Sequence, residues 1–166
     1  MREKDGFCEL IKETEGKLYA LAFSMLGNED DAADAVSEAI LKGYAGIKSL
    51  RNRDAFKIWM MKILHNVCVG MLKKRKNNAD VDEQYDLADK ECERDRDEAM
   101  TVREAVESLN QPYRTAAVLF YWEDMSVEDI AKLTGCSRSA VKKQLSRARS
   151  MLRERLEGEV TENEQI

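Results

Sequence analysis

The chain has little of what breaks or turns a backbone: one proline and eight glycines in 166 residues. A sandwich or barrel needs turn signals at intervals of about 8–12 residues. No alternating strand of useful length is present either, so the composition excludes an all-β fold and favours long helices. Cysteine is sparse. Cys8, Cys68, Cys92 and Cys136 are scattered without a CxxC pair, which fits neither a zinc ribbon nor a disulfide scaffold. The lone histidine, His65, has Cys68 three residues on, but two ligands do not close a metal site. No apolar run approaches the roughly 18 residues of a membrane span. The charged start, Met1 to Glu9, lacks a signal-peptide core, so the expected location is the cytoplasm with reduced thiols. Phosphate-cradling glycine loops, paired catalytic carboxylates and nucleophile–base pairs are also missing, so the chain reads as neither an enzyme nor a cofactor protein.

What is abundant is charge, 36% of the residues with a net value of -5. An acidic total argues against a nonspecific nucleic-acid binder, but the charges are segregated. Bases gather at Lys73, Lys74, Arg75 and Lys76 and again toward the C-terminus. Residues 77–98 between them hold ten acids against three bases. Such a segment cannot bury enough apolar surface to offset its ordering entropy and reads as a flexible acidic linker. The expected organisation is all-α: an N-terminal helical bundle (1–76), the linker (77–98), a C-terminal helix-turn-helix bundle (99–160) and a frayed tail (161–166).

Ser126 to Arg155 has the strongest local pattern. Ser126, with Asp129 three residues on, has the spacing of a capping box, and Gly135 stands where a left-handed residue would end a helix. Ser137 then caps a longer helix with an apolar stripe at Val141, Leu145, Ala148, Leu152 and Leu156. From Ser137 to Arg155 seven bases face a single acid, Glu154. A greasy face backing a cationic one, after a glycine turn, suits a helix laid in the DNA major groove.

Upstream, Phe7, Leu10, Ile11, Leu18, Leu21, Ala22 and Met25 mark a first helix ending near Gly27. Asn28 caps a second helix, which carries Asp31, Asp34 and Glu38 on its polar side, either a solvated face or a docking surface for a basic helix. Gly43 to Arg53 reads as a basic loop, and Asp54 as the cap of a third helix. In that helix Ile58, Met61, Leu64 and Leu72 lie off the main apolar stripe, which implies burial on most sides. Trp59, Lys62 and Asn66 fall along one strip. By spacing alone Trp59 is plain core and Asn66 an incidental surface amide. A further helix stops before Pro112, and Tyr113 to Trp122 builds another beneath the helix-turn-helix.

In order along the chain, LGNEDDAADAVSEAILKGY, FKIWMMKILHNVCVGMLKKRK, SLNQPYRTAAVL and SVEDIAKLTGCSRSAVKKQLSRARSMLRERL resemble the four conserved blocks of the extracytoplasmic-function (ECF) class of bacterial RNA polymerase sigma factors. The resemblance implies core-polymerase binding through Asp31, Asp34, Ser37 and Glu38, and minus-ten DNA contact through Trp59, Lys62 and Asn66. It implies minus-thirty-five contact through Arg138, Ser139, Lys142, Lys143, Ser146 and Arg147. The implied partners are core RNA polymerase, promoter DNA and an inhibitory anti-sigma protein, commonly membrane-anchored. Three positions depart from the pattern: Ser37 for the usual glutamine, Ala33 for an acid and Gln144 for an arginine. The alternative from the residues alone is a dimeric helix-turn-helix regulator that binds palindromic operators without polymerase.

Overall fold

The computed structural model describes the backbone of residues 2–79 and 101–163, and side chains from 6–78 and 101–157. All described elements are helical. The order is α1 (Arg2–Leu26), α2 (Glu29–Gly46), two 3-10 turns (Ile47–Ser49, Arg53–Ala55), α3 (Phe56–Ala79), α4 (Val102–Glu107), α5 (Tyr113–Ala117) with a π-helical continuation (Val118–Trp122), α6 (Val127–Thr134) and α7 (Arg138–Asn163). Most of the acidic stretch 77–98 and the end of the tail fall outside the described residues. Helix α3 runs three residues past 76, to Ala79, and α7 reaches Asn163.

In the first lobe α1, α2 and α3 pack mutually. Leu18, Leu21, Ala32, Ala35, Phe56, Met60 and Leu64 are fully buried in its centre. Asn28 caps α2 as its sequence implies, its side chain accepting from the Asp31 amide at 2.8 Å. The expected break at Gly43 is absent, because α2 continues to Gly46. Gly43 serves packing instead: a Cβ there would collide with the Met60 sulfur, so the missing side chain lets α2 and α3 approach closely. The cap before α3 is also displaced. Asn52, rather than Asp54, accepts the capping bond, from the Asp54 amide at 2.9 Å, and a 3-10 turn leads into the helix.

In the second lobe three short helices precede the long α7, and α4, α6 and α7 start on side-chain caps while α5, after Pro112, does not. Thr101 and Glu104 form a complete capping box at α4. Ser126 accepts from the Asp129 amide at 3.1 Å while its hydroxyl donates to the Asp129 carboxylate at 2.8 Å. Gly135 has φ 72°, the left-handed stop anticipated from its position. Ser137 accepts from the Ala140 amide at 3.1 Å and opens α7. At the end of the π turn Asp124 is left-handed, φ 53°, and the Met125 amide bonds back to the Leu119 carbonyl at 3.0 Å, which closes that end.

The lobes are in contact. Helix α1 meets α5 and the π turn, and α3 meets α6. One continuous apolar cluster runs from Phe7, Phe56 and Met60 through to Leu119, Ile130, Leu133 and Val141. Val106, Leu109, Ala117 and Ala148 form a separate small cluster within the second lobe. The extra apolar residues of α3 thus have a reason: one side faces α1 and α2, another faces α6. Residues 53–78 are long and apolar enough to cross a membrane by length and composition, contrary to the reading of the sequence. Here that helix packs on both sides within the protein and carries Lys57, Lys62, His65 and Asn66.

Candidate nucleic-acid interface

The helix-turn-helix presents its cations as the sequence pattern requires. Val141, Leu145 and Ala148 are buried, which turns Arg138, Ser139, Lys142, Lys143, Ser146 and Arg147 outward, and all six are exposed. Arg147 lies 3.5 Å from the Tyr113 hydroxyl, a long contact that leaves most of its guanidinium donors available. Next to Lys142 a cavity of about 320 Å³ opens between Phe120, Tyr121, Val127, Leu145 and Arg149. Such a surface can donate to phosphates and to guanine edges, and only the second kind of bond carries sequence information.

On α3, Lys62 and Asn66 are exposed while Trp59 is half-buried. The Trp59 ring packs 6.0 Å from Phe56 and lies against the backbone of Gly46. It therefore does core work with an edge still accessible, and it stands one turn from Lys62 on the same strip. His65 beside them is held below its ordinary range by burial, opposed by a hydrogen bond with Asn66. Burial pushes the Cys68 thiol up to about 12, so it offers no thiolate to a metal at neutral pH. Among the described residues no three metal-ligating side chains gather.

On α2, Asp34, Ser37 and Glu38 are exposed, whereas Asp31 is half-buried. Glu38 pairs with Lys42 at 2.7 Å, a hydrogen bond that lowers its carboxyl below the usual range. Ser37 donates to the Ala33 carbonyl at 2.9 Å. Asp31 is engaged internally: it accepts from Asn28 at 2.8 Å and forms an ion pair with Arg75. Arg75 also donates to the Leu26 carbonyl at 3.2 Å, so one member of the basic run ties α3 to the ends of α1 and α2. Nothing in the sequence distinguished Arg75 from its neighbours. The available clue was that α1 has no basic residue in its last turn to meet its orphan carbonyls.

The fold and its basic helix-turn-helix define a two-lobed, all-helical DNA-binding protein. Both lobes match known family models: Sigma-70 region 2 over residues 10–78 and Sigma-70 region 4 over residues 99–152. Among curated proteins, the chain is 32% identical over 143 residues to the RNA polymerase sigma factor SigV of Bacillus subtilis, covering 86% of each. It is 25% identical to the ECF RNA polymerase sigma factor SigW of the same species, covering 93% of this chain and 90% of that one. Among solved structures, the sigma factor RpoE from Bartonella quintana, crystallised with the anti-sigma factor NepR, superposes with a TM-score of 0.73 at 26% identity. That match covers 91% of this chain and 96% of RpoE, and so includes both lobes.

The chain belongs to the ECF class of bacterial RNA polymerase sigma factors. It is a promoter-specificity subunit rather than a free-standing operator regulator, and its family is not one of catalysts.

Proposed function

We propose that this sigma factor divides promoter reading between its lobes, at the residues its sequence marks. Residues 1–76 engage core polymerase and the minus-ten element, and residues 99–160 read the minus-thirty-five element. The acidic stretch 77–98 joins them. In the first lobe Asp34, Ser37 and Glu38 supply an anionic patch for a basic helical surface of the polymerase, with Asp31 at its edge. Lys62 and Asn66, with the open edge of Trp59, receive non-template bases. Extruding and unstacking a base costs a few kcal/mol, which stacking on an aromatic edge and cationic contact can offset.

In the second lobe Lys142 and Lys143, with Arg138 and Arg147, contact phosphates and base edges, aided by Ser139 and Ser146. The observation that carries this reading is the exposed cationic face of α7, backed by its buried apolar stripe. An acidic total charge, -5, supports weak DNA binding by the free protein. The protein acts in the cytoplasm beside the polymerase and performs no catalysis. It is controlled by an anti-sigma partner that covers the acidic face of α2 and Lys142. The cavity beside Lys142 offers an apolar anchor for such a partner.

Run-off transcription tests the reading. Core polymerase with this chain should initiate on a defined subset of a randomised promoter library. Lys142→Glu should lose dependence on the minus-thirty-five sequence while still binding core enzyme. Core enzyme that neither binds the chain nor initiates with it would overturn the reading.

A further inference from the structure

The four bases that end α3 are not equivalent. Arg75 reaches back across the first lobe: Nη1 donates to the Leu26 carbonyl at 3.2 Å, and Nη2 forms an ion pair with Oδ2 of Asp31. Leu26 is the last residue of α1 and Asp31 lies in the first turn of α2, so one guanidinium bridges two helix ends. Those ends are joined only by Gly27 and Asn28. Gly27 is left-handed, φ 77°, and a two-residue link through glycine by itself holds the angle between helices weakly. A planar fork can meet two separate acceptors, whereas the ammonium of a lysine is a single point. Asn28 completes the arrangement. Its Nδ2 donates to the same Asp31 oxygen at 2.8 Å while its Oδ1 accepts from the Asp31 amide at 2.8 Å. Lys73, two residues before Arg75, lies about 160° away around α3 and faces the other side.

A second fixed point of α2 lies near its far end, where the bare Gly43 lets Met60 of α3 approach. Asp31 and Gly43 are roughly 18 Å apart along the helix axis. Asp34, Ser37 and Glu38 stand exposed between these two anchors. The side chains of Arg75 and Asp31 are 43% and 31% exposed, and an ion pair so open to solvent contributes little to global stability. What it can do is fix a direction. We propose that Arg75 is a positioning residue for polymerase docking: with Asp31 it aims the acidic face of α2, and Asp34, Ser37 and Glu38 make the contact. Asp31 thus acts through Arg75 rather than on the polymerase, and Arg75 is set apart from its basic neighbours by its two internal acceptors.

This proposal rests on the reading of α2 as the polymerase-docking face, and the experiment separates the two. Affinity for core polymerase is measured on full-length variants whose helix content by circular dichroism matches wild type. Arg75→Gln should weaken binding about five- to tenfold, and Arg75→Lys, which keeps the charge without the fork, should recover only part of that loss. Asp31→Asn should weaken binding alone but add nothing to Arg75→Gln, because residues that act as a unit are not additive. Lys73→Gln removes the same charge from the opposite side of α3 and should bind polymerase as wild type does. Hydrogen exchange on the free protein supplies a second readout. Arg75→Gln should speed exchange of the Asp31 and Ala32 amides, which bond to Asn28, by about fivefold or more. Wild-type affinity in Arg75→Gln, additive losses in the double variant, or an equal loss in Lys73→Gln would overturn the positioning role. Wild-type affinity in Asp34→Ala, with faster exchange in Arg75→Gln, would sink the docking reading of α2 and leave the bridge between the helix ends standing.

Discussion

The two lobes are stabilised in different ways. The first uses length: three helices of 25, 18 and 24 residues bury a broad set of large side chains, with side-chain caps at Asn28 before α2 and at Asn52 before the 3-10 turn that enters α3. The second adds end chemistry: beside the 26-residue α7, helices α4, α5 and α6 have only 6, 5 and 8 residues, and α4, α6 and α7 each start on a serine or threonine cap. Helix nucleation is costly, so short helices depend on every satisfied end group, while long ones draw stability from a packed face. The lobe of short capped helices is thus the one that presents the exposed cationic face of α7, and the lobe of long helices buries the larger set of side chains. Substitutions should separate the two modes.

The largest effect is expected at Phe56, 1% exposed and edge-on to Phe7 with ring centres 5.7 Å apart. Phe56→Ala should cost about 3–5 kcal/mol of first-lobe stability, read by urea unfolding followed through Trp59 fluorescence. Next comes Lys142→Glu, which reverses a charge at the centre of the exposed face of α7. Binding to minus-thirty-five duplex should fall by about one to two orders of magnitude, with a shallower salt dependence and unchanged unfolding midpoint. If stability moved instead of DNA affinity, Lys142 would belong to the core of its lobe and not to its reading face.

Two glycines then sharpen the packing side of the contrast. Gly43→Ala should lose about 1–3 kcal/mol, because the new methyl meets Met60, which is fully buried. Gly70→Ala, with open space around it on the exposed side of α3, should gain about 0.5–1 kcal/mol. Equal responses at the two sites would refute close α2–α3 packing. In the second lobe, Ser126→Ala should remove about 1 kcal/mol through its cap alone. The same change at Ser37, which sits mid-helix and bonds back to Ala33, should be near neutral or slightly favourable.

The smallest effect concerns pH. Burial lowers the pKa of His65 from its ordinary 6.5, so the unfolded chain binds the proton more readily than the folded one. First-lobe stability should therefore be constant above about pH 6.5 and fall as the pH drops below it, toward the lowered folded value. His65→Gln should remove this slope between about pH 5 and 7 in thermal unfolding curves.

Much of this molecule could be read from local pattern. The helices, the Asn28, Ser126 and Ser137 caps, the left-handed Gly135 and the cationic face of α7 all follow from residues within one or two turns of each other. Caps and amphipathic stripes are short-range physics, and the chain carries them wherever it folds. Gly43 misled for the same reason. Locally it resembles a helix breaker, and only the presence of Met60 on a neighbouring helix shows it to be a packing residue. Asp54 lost its capping role to Asn52 because the entry to α3 is a 3-10 turn rather than a simple helix start.

What the sequence determined alone, then, is the parts list: the helices among the described residues, most of their caps, their greasy and charged faces, and the family to which such an order belongs. Tertiary structure decided which charges face solvent and which are used up internally. It assigned Arg75 to Asp31, Arg114 to the open end of α1 and Lys57 to Glu123. Those pairings join residues tens of positions apart. A carboxylate's partner depends on which helix lies across from it, and no periodicity along the chain encodes that distance.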